Sequence, residues 1–368
     1  MKKLMPLFGL LLPLTSVHGQ SNVTIYGIID SAVTVARPGN GKGKTFGLDS
    51  GVSNGSRLGF RGTEDLGGGL RANFLLENGF SSDTGGLQQG GLLFGRQAWV
   101  GVSSTSGWAV TAGRQYSPMN IALVTADPGG QTYWGNTQVA GNGSFQSPNA
   151  VAGDGGHQAT GRINNSVMGT WNTGGLVLRA MVAAGDENAI GSGRLLGGSA
   201  TYAAGPWMAT ASMTRFRQYA RDIPLGASAD WQEEAMVGGA YDFGVARVFT
   251  GYYRFNPSEA NKVVLPTTVA STATYWLGTR IPLGANTLIA QAFRTRFDYN
   301  GERGYGTTLG MTLEHPLSKR TVLYTSYGQI TNNSRSAAVL WAGTAAQNFA
   351  GERGASPKAL SFGVRHAF

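Results

Sequence analysis

The last nine residues of the chain alternate between large apolar side chains and small or charged ones. Leu360, Phe362, Val364 and Phe368 share one parity, with His366 as the exception. A period of two is typical of a β-strand whose two faces meet different surroundings. The last strand of a transmembrane barrel has this character, because it closes the cylinder and its apolar face contacts lipid. The pattern therefore predicts an all-β fold, a transmembrane antiparallel β-barrel.

Similar alternating segments of roughly ten residues recur along the chain, joined in turn by short and long connections. We count about sixteen, an even number that places both termini at the periplasmic side. The 57 glycines, about twice the usual share, fit the turns and bulges of such a fold. No composition shift divides the chain, so residues 20–368 are expected to form a single barrel domain.

The N-terminus has the pattern of an export signal. Lys2 and Lys3 precede an apolar stretch that ends in small residues around Val17 and Gly19. This run is too short to span a bilayer, and it predicts a signal peptide at residues 1–19. The expected location is the outer membrane of a Gram-negative cell, in contact with outer-membrane lipid.

The chain is basic, with 29 Lys and Arg against 20 Asp and Glu, and it has no Cys. A closed barrel hydrogen-bonds its whole wall and needs no disulfides. Nucleic-acid binding is set aside, because the chain is predicted to be exported and its cations are scattered along strands.

Three stretches resemble the general porins of Gram-negative bacteria, in particular the β-proteobacterial type. They are Val23–Asp30, Gly55–Leu70 with its continuation to Phe80, and Leu93–Gly101 followed by Gly113-Arg114-Gln115-Tyr116. The resemblance implies a passive diffusion channel that assembles as a homotrimer of sixteen-stranded barrels. It also implies a long third external loop, here Tyr116 to Gly161, folded into the lumen, although this loop lacks the family's Pro-Glu-Phe-Gly sequence. Phe362, Val364 and Phe368 are expected to act as the signal for the barrel assembly machinery.

Alternation assigns many arginines to the lumen, because Arg on the lipid face near the midplane costs about 2–4 kcal/mol. Leu58 and Phe60 should face lipid, which turns Arg57 and Arg61 inward. Arg294 and Arg296 are expected inside as well, if Phe293 and Phe297 face out. The remaining candidates for the pore lining and constriction are Arg71, Glu77, Arg96, Arg114, Asp127, Arg162 and Arg179, with Arg96 and Arg114 in poorly alternating strands.

An excess of Arg in a narrow lumen raises the local concentration of small anionic solutes, so we expect anion preference. In a second interpretation, wall carboxylates neutralise each Arg and the pore is nearly unselective. A third possibility is a surface adhesin or receptor barrel whose lumen is closed by the long loop. His157, His315 and His366 lie in no recognisable catalytic or zinc pattern, so we expect no enzyme, no metal and no cofactor.

Overall fold

The computed structural model describes residues 22–39, 41, 43–137, 161–185, 193–217, 230–258, 271–299, 302–336, 338–342 and 353–368. The predicted signal peptide and the residues 138–160 of the long third connection lie outside these ranges. The strands are β1 (Asn22–Arg37), β2 (Thr45–Ser50), β3 (Arg57–Gly67), β4 (Leu70–Gly79), β5 (Gln97–Ser104), β6 (Trp108–Tyr116), β7 (Arg162–Thr173), β8 (Leu176–Ala184), β9 (Arg194–Ala204), β10 (Trp207–Arg217), β11 (Trp231–Asp242), β12 (Arg247–Asn256), β13 (Ser271–Leu283), β14 (Asn286–Tyr299), β15 (Glu302–Pro316), β16 (Thr321–Asn332) and β17 (Lys358–Ala367).

These strands form one closed antiparallel barrel. Each pairs with its neighbour in sequence, except that β2 and β3 both pair with β1, and β17 pairs with β1 from Ile28 opposite Ala367 to Arg37 opposite Lys358. β2 and β3 pair with successive stretches of the same edge of β1 and together count as one barrel strand. Seventeen segments therefore make sixteen barrel strands, as predicted.

Tight glycine turns join strands at one end of the barrel. Gly68 and Gly69, between β3 and β4, both have a positive φ (60° and 79°), which favours glycine. The other end carries the longest connections, and we call the two ends the short-turn end and the long-loop end. β1 begins and β17 ends at the short-turn end, as the even strand count requires.

The two faces of the wall differ in burial, and β10 shows the pattern most clearly. Met208, Thr210 and Phe216 are buried, whereas Trp207 and Met213 are exposed. The exposed face carries large apolar side chains around much of the barrel, as a lipid-facing surface does. No helix in the described ranges is long and apolar enough to span a bilayer.

The described part of the third connection packs on the inner face of the wall. Helix α1 (Pro118–Thr125) starts at an N-cap where Ser117 Oγ accepts from Asn120 N at 3.0 Å. It contacts β8 to β11, and its Met119 and Leu123 belong to an apolar cluster formed with inward side chains of the wall. The inner face along these strands is therefore partly apolar.

This covering corrects one expectation. Phe293 and Phe297 face inward and are almost fully buried, so Arg294 and Arg296 lie on the outer face of β14. The register fixes this result: Phe293 lies opposite Trp276, whose Nε1 donates to Ala126 O of the loop at 3.0 Å. The loop covers this part of the inner wall with apolar groups, so the apolar side chains of β14 face inward. The expectation assumed a polar, water-filled lumen, in which these side chains would face lipid.

Candidate functional site

Charged side chains at the long-loop ends of β3 to β7 converge in one group. We call Arg57, Glu77, Arg96, Tyr116 and Arg162 the arginine cluster. Four of its residues start, end or directly precede a strand, and Glu77 lies two residues before the end of β4, so the antiparallel pairing of the wall brings them to similar heights. The cluster carries three guanidinium groups and one carboxylate, a formal charge of 3 − 1 = +2.

Glu77 is the anchor of the arginine cluster. Its residue is 3% exposed, and its Oε1 accepts from Arg96 Nε at 2.7 Å. Its Oε2 accepts from the Tyr26 hydroxyl at 2.8 Å and lies 3.9 Å from Arg57 Nη1. A buried carboxylate is stable only when charge and hydrogen bonds compensate it, and here two arginines and one phenol do so.

Tyr116 links the other two arginines of the cluster. Its hydroxyl oxygen accepts from Arg96 Nη2 and from Arg162 Nη2, each at 2.8 Å. The Arg162 guanidinium also lies 4.7 Å from the centre of the Tyr116 ring, a cation–π geometry. Two like charges are therefore held around one neutral acceptor, while Arg57 and Arg96 contact the acid Glu77.

Three other predicted arginines share the inner face below the cluster. Arg61 lies opposite Thr24 and Leu75 in the register, with its guanidinium 5.3 Å from the centre of the Tyr26 ring. Arg71 lies opposite Asp65 and Ser103 near the short-turn end, and Arg179 lies opposite Thr170 and Ser199. The inner face of β3 to β8 thus carries a row of cations.

Two predicted residues occupy other positions. Arg114 lies beside a break in the pairing of β6 and β7, and it donates to Gly95 O at 2.8 Å and to Asn164 Oδ1. Asp127 is 3% exposed and sits within the third connection, where its carboxylate accepts from Gly129 N and Thr137 N, each at 2.7 Å. Burial raises the pKa of the Asp127 carboxyl, although these backbone donors oppose the shift. Asp127 therefore holds the loop together, which differs from the expected role in the pore lining.

A second set of contacts, not identified from the sequence, attaches the loop to the far wall. The Tyr133 hydroxyl donates to Glu314, which also accepts from Arg280 Nη2 at 2.8 Å. Trp134 Nε1 donates to Ser361 Oγ at 2.7 Å. Burial raises the pKa of the Tyr133 phenol, because the charged form would be desolvated beside Glu314. Such pairings between a loop and distant strands leave no short-range pattern in a sequence.

The loop approaches the wall closely at three glycines of β13, β15 and β16. A Cβ placed on Gly310 would lie 2.5 Å from Trp134 O, and one on Gly328 would lie 2.5 Å from Trp134 Cβ. A Cβ on Gly278 would lie 2.6 Å from Pro128 Cγ. The inward glycines of β13, β15 and β16 therefore leave a shallow groove on the inner surface of the wall, and residues 117–137 lie along it.

The acid Asp30 of β1 is bound by a tyrosine and by backbone groups. It accepts from the Tyr324 hydroxyl at 2.7 Å and from the backbone N–H groups of Ser53 and Asn54. It fixes the short segment 51–56 that leaves the wall between β2 and β3. Val52 O of that segment accepts from Tyr133 N at 3.0 Å, which joins the segment to the third connection.

Comparison with known proteins agrees with this architecture. A family model described as Gram-negative porin matches residues 12–335. The chain belongs to the Gram-negative porin family. It is 30% identical over 380 residues to outer membrane porin protein 32 of Delftia acidovorans, with all of both chains covered. The protein is thus a β-barrel of the Gram-negative outer membrane, and its family is one of channels.

Solved structures show the same fold. An anion-selective porin from Comamonas acidovorans superposes with a TM-score of 0.76 at 28% identity, covering 95% of this chain and 100% of that one. The trimer form of OmpT, an outer membrane protein of Vibrio cholerae, gives a TM-score of 0.67 at 15% identity, covering 95% and 99%. The second likeness concerns the fold alone.

Proposed function

We propose that this porin is a passive diffusion channel for small hydrophilic solutes and prefers anions. The observation that supports this most is the arginine cluster, in which three arginines share one acid at the long-loop ends of β3 to β7. Low-dielectric walls strengthen such a field, and arginine stays charged at any working pH. The similar porin from Comamonas acidovorans is described as anion-selective.

The constriction is proposed to lie between the arginine cluster and the third connection. One side would be the row of cations on β3 to β8, with Arg57, Arg61, Arg162 and Arg179 exposed to passing solutes to different degrees. The other side would be the loop, held by Glu314 and Ser361. Residues 117–137 of the loop pack on β8 to β17 and contribute backbone and apolar groups there. The acids on this side of the proposed ion path, Asp127 and Glu314, already accept hydrogen bonds.

Planar-bilayer recording tests this function. The purified protein is inserted in a neutral lipid bilayer, and its current is measured under a tenfold KCl gradient. We expect long-lived open steps whose reversal potential has the same sign as the equilibrium potential of chloride. A potential of the opposite sign would contradict anion preference, and silence from a correctly folded protein would favour the adhesin or receptor interpretation. Turnover of a lipid or peptide substrate would contradict the proposed absence of enzymatic activity.

We further propose a homotrimer. The outer face of β1 and its neighbours carries Val23, Ile25 and Phe362, which are all more than half exposed in the single chain. Contiguous apolar surface of this kind is suited either to lipid or to another subunit. Chemical crosslinking of native membranes should trap three chains, and a ladder that stops at one chain would contradict it.

The closing strand is proposed to carry the assembly signal. Phe362 and Val364 lie on the outer face of β17, opposite Val33 and Ser31 of β1, and Phe368 follows the strand. Replacing Phe368 by Ala should slow insertion by the assembly machinery and should leave refolding in detergent nearly unchanged. Equal insertion rates in reconstituted membranes would contradict this role.

A further inference from the structure

A cavity opens on the inner face of β1, β3, β4 and β5, on the short-turn side of the arginine cluster. Its volume is about 490 Å³, which is within the range of small-molecule sites. The strand pairing places four of its residues in one row across the wall: Thr24, Arg61, Leu75 and Trp99. Tyr26 lines it from the next row toward the long-loop end. We call the space bounded by these five residues the wall cavity.

Arg61 is the charged residue of the wall cavity. Its guanidinium lies 5.3 Å from the centre of the Tyr26 ring, and it makes no ion pair within the part of the chain that the structure describes. The Tyr26 ring is fixed in turn, because its hydroxyl donates to Glu77 Oε2 at 2.8 Å. A guanidinium that rests on an aromatic face keeps its in-plane N–H groups available, and a carboxylate accepts from them in pairs. Arg61 is therefore suited to bind a carboxylate.

Trp99 forms the opposite side of the wall cavity. The exposed Val100 beside it faces lipid, which turns Trp99 inward. Its Nε1 donates to Gln97 Oε1 at 3.2 Å, so the indole is held in place. Neighbouring strands are about 4.8 Å apart, so Arg61 and Trp99 are roughly 10 Å apart along the wall, with Leu75 between them. A flat apolar group lying over Leu75 can contact the indole while its charge stays at Arg61.

The polar groups on the short-turn side of this row are already bonded to one another. Thr63 Oγ1 donates to Asn73 Oδ1 at 3.1 Å. Asn73 Nδ2 donates to Ser103 Oγ at 2.9 Å and to Arg71 O at 3.2 Å. The hydroxyl groups of a sugar acid would compete with these bonds, and a polar group left unpaired on binding lowers affinity. The wall cavity therefore favours an anion with a flat apolar body over a polyhydroxylated one.

We propose that the wall cavity binds small aromatic monocarboxylates that enter the lumen. The carboxylate accepts from the Arg61 guanidinium, and the ring lies over Leu75 against Trp99. One cation in the cavity matches one carboxylate. This inference rests on the proposed channel function, because solutes reach the cavity through the lumen, and it adds a solute class that positive charge alone does not select.

The first test compares ligands on the native protein. Benzoate is titrated against the full-length barrel in neutral detergent and followed by ligand-observed NMR, with empty micelles as the blank. We expect benzoate to bind about tenfold or more tightly than acetate, which lacks the ring, and than benzamide, which lacks the charge. Glucuronate should also bind more weakly than benzoate. Binding of any of the three as tight as that of benzoate would overturn the proposal.

The second test uses variants of the two sides of the cavity. Arg61→Gln should weaken benzoate binding by about tenfold or more, and Trp99→Leu by about threefold to tenfold. The matched control is Arg247→Gln on the inner face of β12, where the Arg247 guanidinium lies 5.2 Å from the centre of the Phe249 ring. The control should stay within about twofold of the native affinity. Unchanged affinity in either cavity variant, or an equal loss in the control, would overturn the proposal.

Folding of each variant is checked by the heat-dependent change of gel mobility. If Trp99→Leu does not fold, protein labelled with 5-fluorotryptophan replaces it. Benzoate should then shift one fluorine resonance of the native protein, and that resonance should be missing from Trp99→Phe. The absence of any shift, or a shift of a resonance that Trp99→Phe retains, would overturn the proposal.

The bilayer recording described above separates this inference from the proposed function. Anion-selective conduction by a protein that binds benzoate no more tightly than acetate overturns the wall cavity as a site and leaves the channel function intact. Benzoate binding that depends on Arg61 and Trp99, in a barrel that stays silent in the bilayer, contradicts the channel function and supports the site.

Discussion

Replacing Arg61 by Glu is the sharpest perturbation of the proposed pore. Arg61 lies on the inner face of β3 and is exposed. Within the described ranges its guanidinium makes a cation–π contact with the Tyr26 ring and no ion pair. The substitution breaks no ion pair among these residues, in contrast to a change at Glu77 or Arg96. It alters the charge of the inner wall by two units while the wall itself should remain folded.

The size of the effect follows from Coulomb's law. For an ion passing about 10 Å away in a water-filled lumen, one unit charge contributes roughly 0.4 kcal/mol. Two units change the energy of an anion by about 0.8 kcal/mol, which is about a fourfold change in its local concentration. A cation gains the same amount, so the anion-to-cation ratio should fall by roughly 15-fold.

Reversal potentials measure this ratio. Under a tenfold KCl gradient a perfectly selective pore gives about 59 mV, and the variant should move a large part of the way toward the cation limit. The shift should be largest near 0.1 M salt, where the screening length is about 10 Å, and should shrink near 1 M, where it is about 3 Å. The control Arg194→Glu makes the same charge change on the outer face of β9, opposite Ala184, and should leave the potential nearly unchanged.

Two results would refute this reasoning. If Arg61→Glu conducts with the native reversal potential at low salt, Arg61 does not face the ion path. If Arg194→Glu moves the potential as far as Arg61→Glu does, the effect comes from the general charge of the protein and not from the lumen.

Three further predictions concern the loop and the cluster. Gly310→Ala should displace the backbone at Trp134 and change the single-channel conductance. The control Gly169→Ala has nothing within 4 Å of its added Cβ and should conduct normally. Equal conductance in both variants would contradict the close approach of the loop. Tyr116→Phe removes an acceptor shared by two arginines and should lower the free energy of unfolding by about 1–3 kcal/mol, measured by thermal melting in detergent. An unchanged melting temperature would mean that water replaces the hydroxyl. Because the folded-state pKa of Asp127 is raised, its contribution to stability is full below about pH 4 and is lost as the pH rises through the folded value. The melting temperature of the native protein relative to Asp127→Asn should therefore fall as the pH rises above about 4, and a difference independent of pH would contradict it.

Much of the wall could be predicted from the sequence, because period-two alternation and glycine turns are local signals. The glycine run Gly67-Gly68-Gly69 is such a signal, and in the structure β3 ends at Gly67 and β4 starts at Leu70. β2 carries no such signal, because the residues before Gly55 are rich in glycine and polar side chains. Its six residues extend the pairing of β1 after the chain has left the wall at 51–56, and only the contacts of that segment with Tyr133 and Asp30 explain the detour.

The candidate site was harder to predict, because alternation gives the two faces of a strand but not which of them is inside. For β3 and β4 the lipid-facing parity was clear, and Arg57, Arg61 and Glu77 lie on the inner face. For β14 the third connection supplies an apolar inner surface that accepts Phe293, and the parity is reversed. The Tyr116 bridge could not be predicted either, since it joins the ends of three strands through one hydroxyl.

The path of the loop also determines how strongly the net charge of the chain affects the ion selectivity of the pore. Residues 117–137 occupy the inner face of the wall from β8 to β17, and Arg280 there is bound to Glu314. Arg254 and Arg296 point outward and do not contribute to the lumen. The proposed ion path therefore follows the face of β3 to β8, and the balance of three arginines to one acid in the arginine cluster should govern selectivity more than the overall excess of nine positive charges. It follows that adding charge to the outer face should leave selectivity unchanged, whereas exchanging a single cluster arginine should alter it.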